Sequence, residues 1–134
     1  MLVDSSVWID FLRANETAAT RLLLNCLDHG DPVWIAPPIL QEVLQGAESP
    51  QRFTKWERIF GELPMINDHH IRTLTLAAAR LYASCRWQGV TPRSANDCLI
   101  AMYAVRSDMP LLHSDRDFLA IAAVEDRLRL LTTN

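Results

Sequence analysis

The sequence has little cysteine, and what it has is scattered. Cys26, Cys85 and Cys98 are odd in number and show no CxxC spacing, which fits reduced thiols and gives no zinc ligand set. His69 and His70 are adjacent rather than one helical turn apart, so they do not favour a zinc site either. Any metal site in this chain is therefore expected to use oxygen ligands.

Long hydrophobic runs are also missing. No apolar stretch approaches the roughly 18 residues that a membrane span needs, and the opening MLVDSSVW lacks the basic and apolar regions of a signal peptide. We therefore expect a cytoplasmic protein with no membrane partner. At 134 residues, with 49% hydrophobic and 22% charged residues, the chain is predicted to be one globular domain spanning residues 1–134.

Positive charge is scarce as well. The net charge of −3 offers no broad basic surface for nucleic acid. Twelve of the thirteen basic residues are arginine, whose planar guanidinium suits phosphate, although a coding bias toward arginine would give the same count. A phosphate-containing partner would therefore need a local source of positive charge to bind.

Short apolar segments alternate with helical patterns along the whole chain. Strands are predicted at 1–3, 32–37, 62–67, 109–114 and 127–133, and helices at 6–13, 19–30, 38–46, 70–86 and 95–108. This alternation predicts an α/β fold with a parallel sheet covered on both faces. In such sheets, ligands bind at the carboxyl ends of the strands.

Acidic residues occur after the predicted strands or on the helices that follow them. Each also has a purely structural explanation. Asp4 could cap the helix that follows it, and Glu42 could be a solvated residue beside an apolar stripe. Asp97 could close a capping box with Ser94, although it lies on the apolar face of its helix. Asp115 could belong to an ordinary turn.

Taken together, the acids suggest a metal site. The predicted topology brings several of them to one end of the sheet, and two carboxylates about 5 Å apart repel by about 3 kcal/mol at an effective dielectric constant of about 20. Protons or a cation must neutralise such a cluster. Oxygen ligands without sulfur or paired histidine favour Mg²⁺ or Mn²⁺.

Four segments resemble a known family in order and spacing: VDSSVWIDFL, PPILQEVLQG, NDCLIAMYA and LLHSDRDF. They are similar to the PIN-domain ribonucleases, and nearly the whole chain looks like a VapC-type toxin of the VapBC toxin–antitoxin pairs. The resemblance implies a PIN-like three-layer α/β/α sandwich with a parallel, about five-stranded sheet. It also implies a Mg²⁺- or Mn²⁺-dependent endoribonuclease, a small VapB-like antitoxin and a homodimer.

The resemblance assigns roles by position. It implies that Asp4 and Asp97 are the principal metal ligands and that Glu42 and Asp115 complete the shell, directly or through water. A water molecule activated by the metal would then cleave the RNA phosphodiester, leaving a 5′ phosphate and a 3′ hydroxyl. The supporting residues and the candidates for binding RNA phosphates are Ser6, Ser94, Arg93, Arg86 and Arg116.

The segment LLHSDRDF contains two aspartates that are not expected to be equally good metal ligands. Leu111 and Leu112 are predicted to end the strand, which puts Asp115 at its carboxyl tip and Asp117 at the start of the next helical turn. Asp115 is therefore expected to be the stronger ligand. Asp117 matches an additional acid of part of the family and would reach the metal less directly or only favour the helix N-terminus.

Two other functions stay open at this point. A metal-dependent phosphatase would use an aspartate nucleophile, but no second aspartate follows two residues after Asp4. A non-catalytic binding module would use the same acidic pocket to receive an arginine from a partner. The RNA target, the cleavage sequence and the number of metal ions do not follow from the sequence.

Overall fold

The computed structural model describes residues 1–131. Its regular strands are β1 (Leu2–Val3) and β2 (Leu111–Leu112), which pair in parallel with Leu2 opposite Leu111. Single parallel bridges extend this pair on both sides and join Leu2 to Trp34, Ile35 to Met65, and Leu111 to Leu130.

The five segments lie in the order 3-2-1-4-5 when numbered along the chain, which confirms the predicted parallel sheet. Three of the five are single bridges rather than regular strands. The predicted last strand is represented by Leu130, and its final residues, Thr132 and Thr133, lie outside the described residues.

Seven helices connect and cover the sheet within residues 1–131. They are α1 (Ser5–Leu12), α2 (Ala18–Asp28), α3 (Pro37–Leu44), α4 (Pro50–Gly61), α5 (Ile71–Trp87), α6 (Ala95–Arg106) and α7 (Asp117–Val124). The five helices predicted from periodicity are all present with shifts of one or two residues at most ends. None of the helices in the described part of the chain is both long and apolar enough to cross a membrane.

Local sequence explains where the helices begin. Thr17 and Thr20 form a capping box at the start of α2, and Ser49 accepts a hydrogen bond from the Arg52 N–H at the start of α4. Proline stands in the first turn of α3 and α4, where its missing N–H costs no hydrogen bond.

Helix α4 was not predicted. Phe60 is its only buried residue, and its other positions carry mostly polar or charged side chains. The apolar residues Phe53, Trp56, Ile59 and Phe60 nevertheless recur at helical spacing, so the pattern was present in the sequence. The boundary signal of the helix, serine followed by proline at Ser49 and Pro50, was also present in the sequence.

The core lies on both faces of the short sheet. Leu2 and Val3 are fully buried, as are Leu111 and Leu112. Consecutive strand residues point to opposite faces, so both faces are covered. Helix α1 packs on α2 and α3, while α5 packs on α6 and α7, which gives the three-layer α/β/α arrangement.

Candidate active site

The site lies where the order of the sheet reverses. From β1 the chain goes on to the segments at Trp34 and Met65 on one side, whereas β2 pairs with β1 on the other. Crevices open at such reversals, at the carboxyl ends of the strands. Asp4 follows β1 there, and its backbone N–H donates to the Leu112 carbonyl at 2.9 Å.

One of the two carboxylate oxygens of Asp4 accepts hydrogen bonds that hold the side chain in place. The group is 3% exposed, and its Oδ2 accepts from the Ser6 N–H at 3.0 Å and from the Ser6 hydroxyl at 2.6 Å. The Ser6 hydroxyl also accepts from the Ser114 N–H at 3.0 Å, so it ties the ends of the two strands together. Asp4 therefore caps α1, which is one of the roles considered for it from the sequence, and Ser6 positions it.

The other half of the Asp4 carboxylate has no partner. Oδ1 is buried and is one of two buried side-chain polar atoms without a hydrogen bond in the described chain. Burial is the main reason that the pKa of Asp4 lies above its usual value, and the charge of Glu42 adds to this, while the Ser6 hydrogen bonds oppose it. A buried acceptor without a donor is costly, so this atom is suited to a cation.

Asp97 lies in the first turn of α6 and is 8% exposed. Burial, followed by the charges of Asp4, Asp115 and other nearby acids, raises its pKa to about 7. The capping box considered for Asp97 does not form, because the Ser94 hydroxyl accepts from the Asn96 N–H at 3.1 Å instead. The Asp97 carboxylate is therefore free to face the cleft.

Glu42 enters the same cleft from α3. Its Oε2 accepts from the Ser5 hydroxyl at 2.5 Å, and its Oε1 accepts from Asn96 Nδ2 at 2.9 Å. Both donors are neutral, so they orient the glutamate without removing its charge. Ser5 and Asn96 were not predicted as site residues, although each is next to a predicted site residue in the sequence.

Asp115 and Asp117 share one arginine. Arg93 Nη2 donates to Asp115 Oδ1 at 2.9 Å, and Arg93 Nε donates to Asp117 Oδ2 at 3.0 Å. The Asp117 N–H also donates to Asp115 Oδ1 at 2.9 Å. Asp117 begins α7, as predicted, and its hydrogen bonds to Arg93 hold its pKa below the usual value.

The acids converge on a cleft of about 550 Å³, whose lining includes Asp4, Glu42, Asp97 and Asp115. Carboxylate oxygens of Asp97, Asp115 and Asp117 lie within 4.8 Å of one another. An all-oxygen donor set with an unpaired buried oxygen fits a hard divalent cation such as Mg²⁺ or Mn²⁺. The residues present therefore fit the predicted metal.

The other predicted residues divide into two groups. Ser6, Ser94 and Arg93 line the cleft with the acids. Arg86 and Arg116 are exposed and are not among the residues that line it. Of the three arginines considered for RNA phosphates, the fold thus brings one to the acids.

Comparison with known proteins identifies the family. Residues 1–124 match the PIN domain. The VapC ribonuclease Mb1587 of Mycobacterium bovis is 35% identical over 127 residues, which cover 92% of each chain. The chain belongs to the PIN-domain family and, within it, to the VapC ribonucleases.

Solved structures share the fold. VapBC2 from Rickettsia felis, bound to a DNA fragment from its promoter, superposes with a TM-score of 0.74 at 17% identity, covering 97% of this chain and 96% of the other. VapBC-1 from nontypeable Haemophilus influenzae gives 0.73 at 17% identity, covering 97% and 95%. The predicted PIN-like fold is confirmed.

Proposed function

We propose that this protein is the toxin of a toxin–antitoxin pair and acts as a Mg²⁺- or Mn²⁺-dependent endoribonuclease in the cytoplasm. The observation that carries the proposal is the buried, unpaired Oδ1 of Asp4 beside Asp97, in a cleft that gathers further carboxylates. Membership of the VapC ribonucleases supports RNA as the substrate. A non-catalytic pocket that receives a partner's arginine would use the same carboxylates, so RNA cleavage is the measurement that separates the two functions.

Asp4 and Asp97 would hold the ion, with Glu42 and Asp115 completing its surroundings. When bound, the ion would supply charge stabilisation at the phosphodiester and a water of lowered pKa. Ser6 fixes the Asp4 carboxylate, while Ser5 and Asn96 fix that of Glu42. Because these donors are already in place, little reorganisation is needed at the moment of reaction.

Recognition of RNA phosphates would fall to arginines near the cleft. Arg93 is engaged with two acids, which leaves the exposed Arg86 and Arg116 as the candidates for reaching RNA beyond the cleft. Their role stays a prediction. An exposed arginine contributes mainly by charge attraction, so this part of binding would weaken as salt concentration rises.

The first expected result is metal-dependent cleavage. The purified protein should cut RNA with Mg²⁺ or Mn²⁺ and stop when a chelator is in excess, because the carboxylates alone offer no counter-charge to the phosphodiester. Cleavage is measured on a labelled RNA by gel. The Asp4→Asn variant, purified in parallel, reports any contaminating nuclease. Cleavage by the wild type that persists in excess chelator, above that of the variant, would contradict the metal mechanism.

The second expected result concerns a partner. A small antitoxin, encoded next to this gene, would cover the cleft and place an arginine or lysine among the carboxylates, because an uncompensated acidic cluster attracts such a cation. The structural neighbours from Rickettsia and Haemophilus are both VapBC proteins, which supports such a partner. We also propose that the toxin is a homodimer.

The growth rate of cells that express the protein tests both its toxicity and the effect of an antitoxin. Expression of the chain alone should slow growth, and co-expression of the antitoxin should restore it. Asp97→Ala at the same protein level, checked by blot, serves as the inactive control. If the wild type leaves growth unchanged, or if Asp97→Ala is equally toxic, the protein is not a toxin that acts through this cleft.

A further inference from the structure

Arg93 is a cation that the chain itself supplies to the cleft. It lies in the loop before α6, and its guanidinium bridges Asp115 and Asp117 at 2.9 and 3.0 Å. Its backbone N–H donates to the same Asp117 oxygen at 3.1 Å. These three hydrogen bonds fix the loop to the start of α7 and place a permanent positive charge at one side of the cleft.

The acids therefore fall into two groups. Asp115 and Asp117 already have a cation. Asp4 and Asp97 have none within hydrogen-bonding distance among residues 1–131, and Asp4 Oδ1 has no donor of any kind there. Glu42 has only neutral donors, so the cleft carboxylates without a cation are Asp4, Asp97 and Glu42.

The same geometry indicates where a second metal ion would bind. Carboxylate oxygens of Asp97, Asp115 and Asp117 come within 4.8 Å of one another, and no other set of three metal-ligating side chains in residues 1–131 does so. Arg93 binds two of these three carboxylates. A divalent ion there would have to displace the guanidinium or bind beside it against its repulsion.

We propose that Arg93 takes the place of a second metal ion, so that the cleft holds a single divalent cation at Asp4 and Asp97. This inference rests on the proposed metal-dependent function. Arg93 is a positioning residue in this scheme, because it acts through Asp115 and Asp117 rather than on RNA. The planar guanidinium matches two carboxylates better than a point charge does.

The test is the number of Mn²⁺ ions bound, measured by equilibrium dialysis with detection of free Mn²⁺ by electron paramagnetic resonance. The wild type is compared with Arg93→Gln, which removes the charge, and Arg93→Lys, which keeps it. The Arg93 side chain is 69% exposed, so both variants are expected to fold. Arg93→Met is a second neutral variant that keeps the aliphatic stem.

Arg127→Gln is the matched control. The Arg127 side chain is 66% exposed and pairs with Glu125 away from the cleft. This variant also loses an exposed ion pair. It should bind Mn²⁺ as the wild type does, because its lost charge is not beside the carboxylates of the cleft.

The wild type and Arg93→Lys should bind one Mn²⁺, and both neutral Arg93 variants should bind a second at least about tenfold more tightly than the wild type does. Two ions of similar affinity in a wild type that cleaves RNA would overturn the role of Arg93 and leave the proposed function standing. One ion in folded Arg93→Gln and Arg93→Met would do the same. A wild type that binds no Mn²⁺ would overturn both.

Discussion

Replacing Asp97 by asparagine is expected to reduce RNA cleavage at least about 100-fold, equivalent to about 2.7 kcal/mol of transition-state stabilisation. The same change should stabilise the metal-free protein at pH 8. The two effects have opposite signs because the carboxylate is useful only when a cation is bound. Without one, Asp97 is an ionised group that is 8% exposed and surrounded by other acids.

The pH dependence gives the direction of the stability change. The pKa of Asp97 is raised from 3.8 to about 7 in the folded protein. Between these values the folded protein keeps a proton that the unfolded chain has released, so the free energy of unfolding falls as the pH rises through this window. At pH 8 this decrease in the free energy of unfolding is complete. Replacing Asp97 by asparagine removes the charge and should restore about 2 to 4 kcal/mol of it.

Urea unfolding at pH 5 and pH 8, with chelator present, measures this. The wild type should lose more stability between the two pH values than Asp97→Asn does. Asp31→Asn is the control, because Asp31 is exposed and is not among the residues that line the cleft. An Asp97→Asn variant that is less stable than the wild type at pH 8 would show that the carboxylate has a favourable partner in the metal-free fold.

Much of the fold was predictable because its strands and helices carry simple patterns. Short apolar runs such as Leu111 and Leu112 predicted the buried strands, and the alternation of these runs with helices predicted the parallel sheet. Helix α4 was missed although Phe53, Trp56, Ile59 and Phe60 recur at helical spacing. Of these four side chains only Phe60 is buried, so the pattern belongs to a helix that adds little to the core.

The sequence predicted four acids that the fold brings to one cleft, but it did not predict their hydrogen-bond partners. A carboxylate at a strand end or on a buried helix face is visible in the sequence, whereas a hydrogen bond between distant segments is not. The pairing of Arg93 with Asp117 spans 24 residues, and that of Ser5 with Glu42 spans 37. Such contacts depend on how loops and helix ends meet, which periodicity does not encode.

Two substitutions of Asp4 are expected to separate its role in metal binding, which needs the charge, from its role as the N-cap of α1. Asp4→Asn and Asp4→Ala should both lower RNA cleavage at least about 100-fold, because each removes a carboxylate from the metal. Only alanine should also weaken the fold. Asparagine keeps an oxygen that can accept from the Ser6 N–H, now bonded at 3.0 Å, whereas alanine leaves the start of α1 uncapped.

The difference in the free energy of unfolding between the two variants should be about 1 to 2 kcal/mol, the usual contribution of an N-cap side chain. Urea unfolding in chelator measures it, and RNA cleavage at saturating Mn²⁺ measures the common loss. The asparagine variant should be at least as stable as the wild type, since it removes one buried charge whose pKa burial has raised. If Asp4→Asn retains cleavage while Asp4→Ala does not, the oxygen acts by capping α1, and the ion is held by Asp97 and the remaining acids.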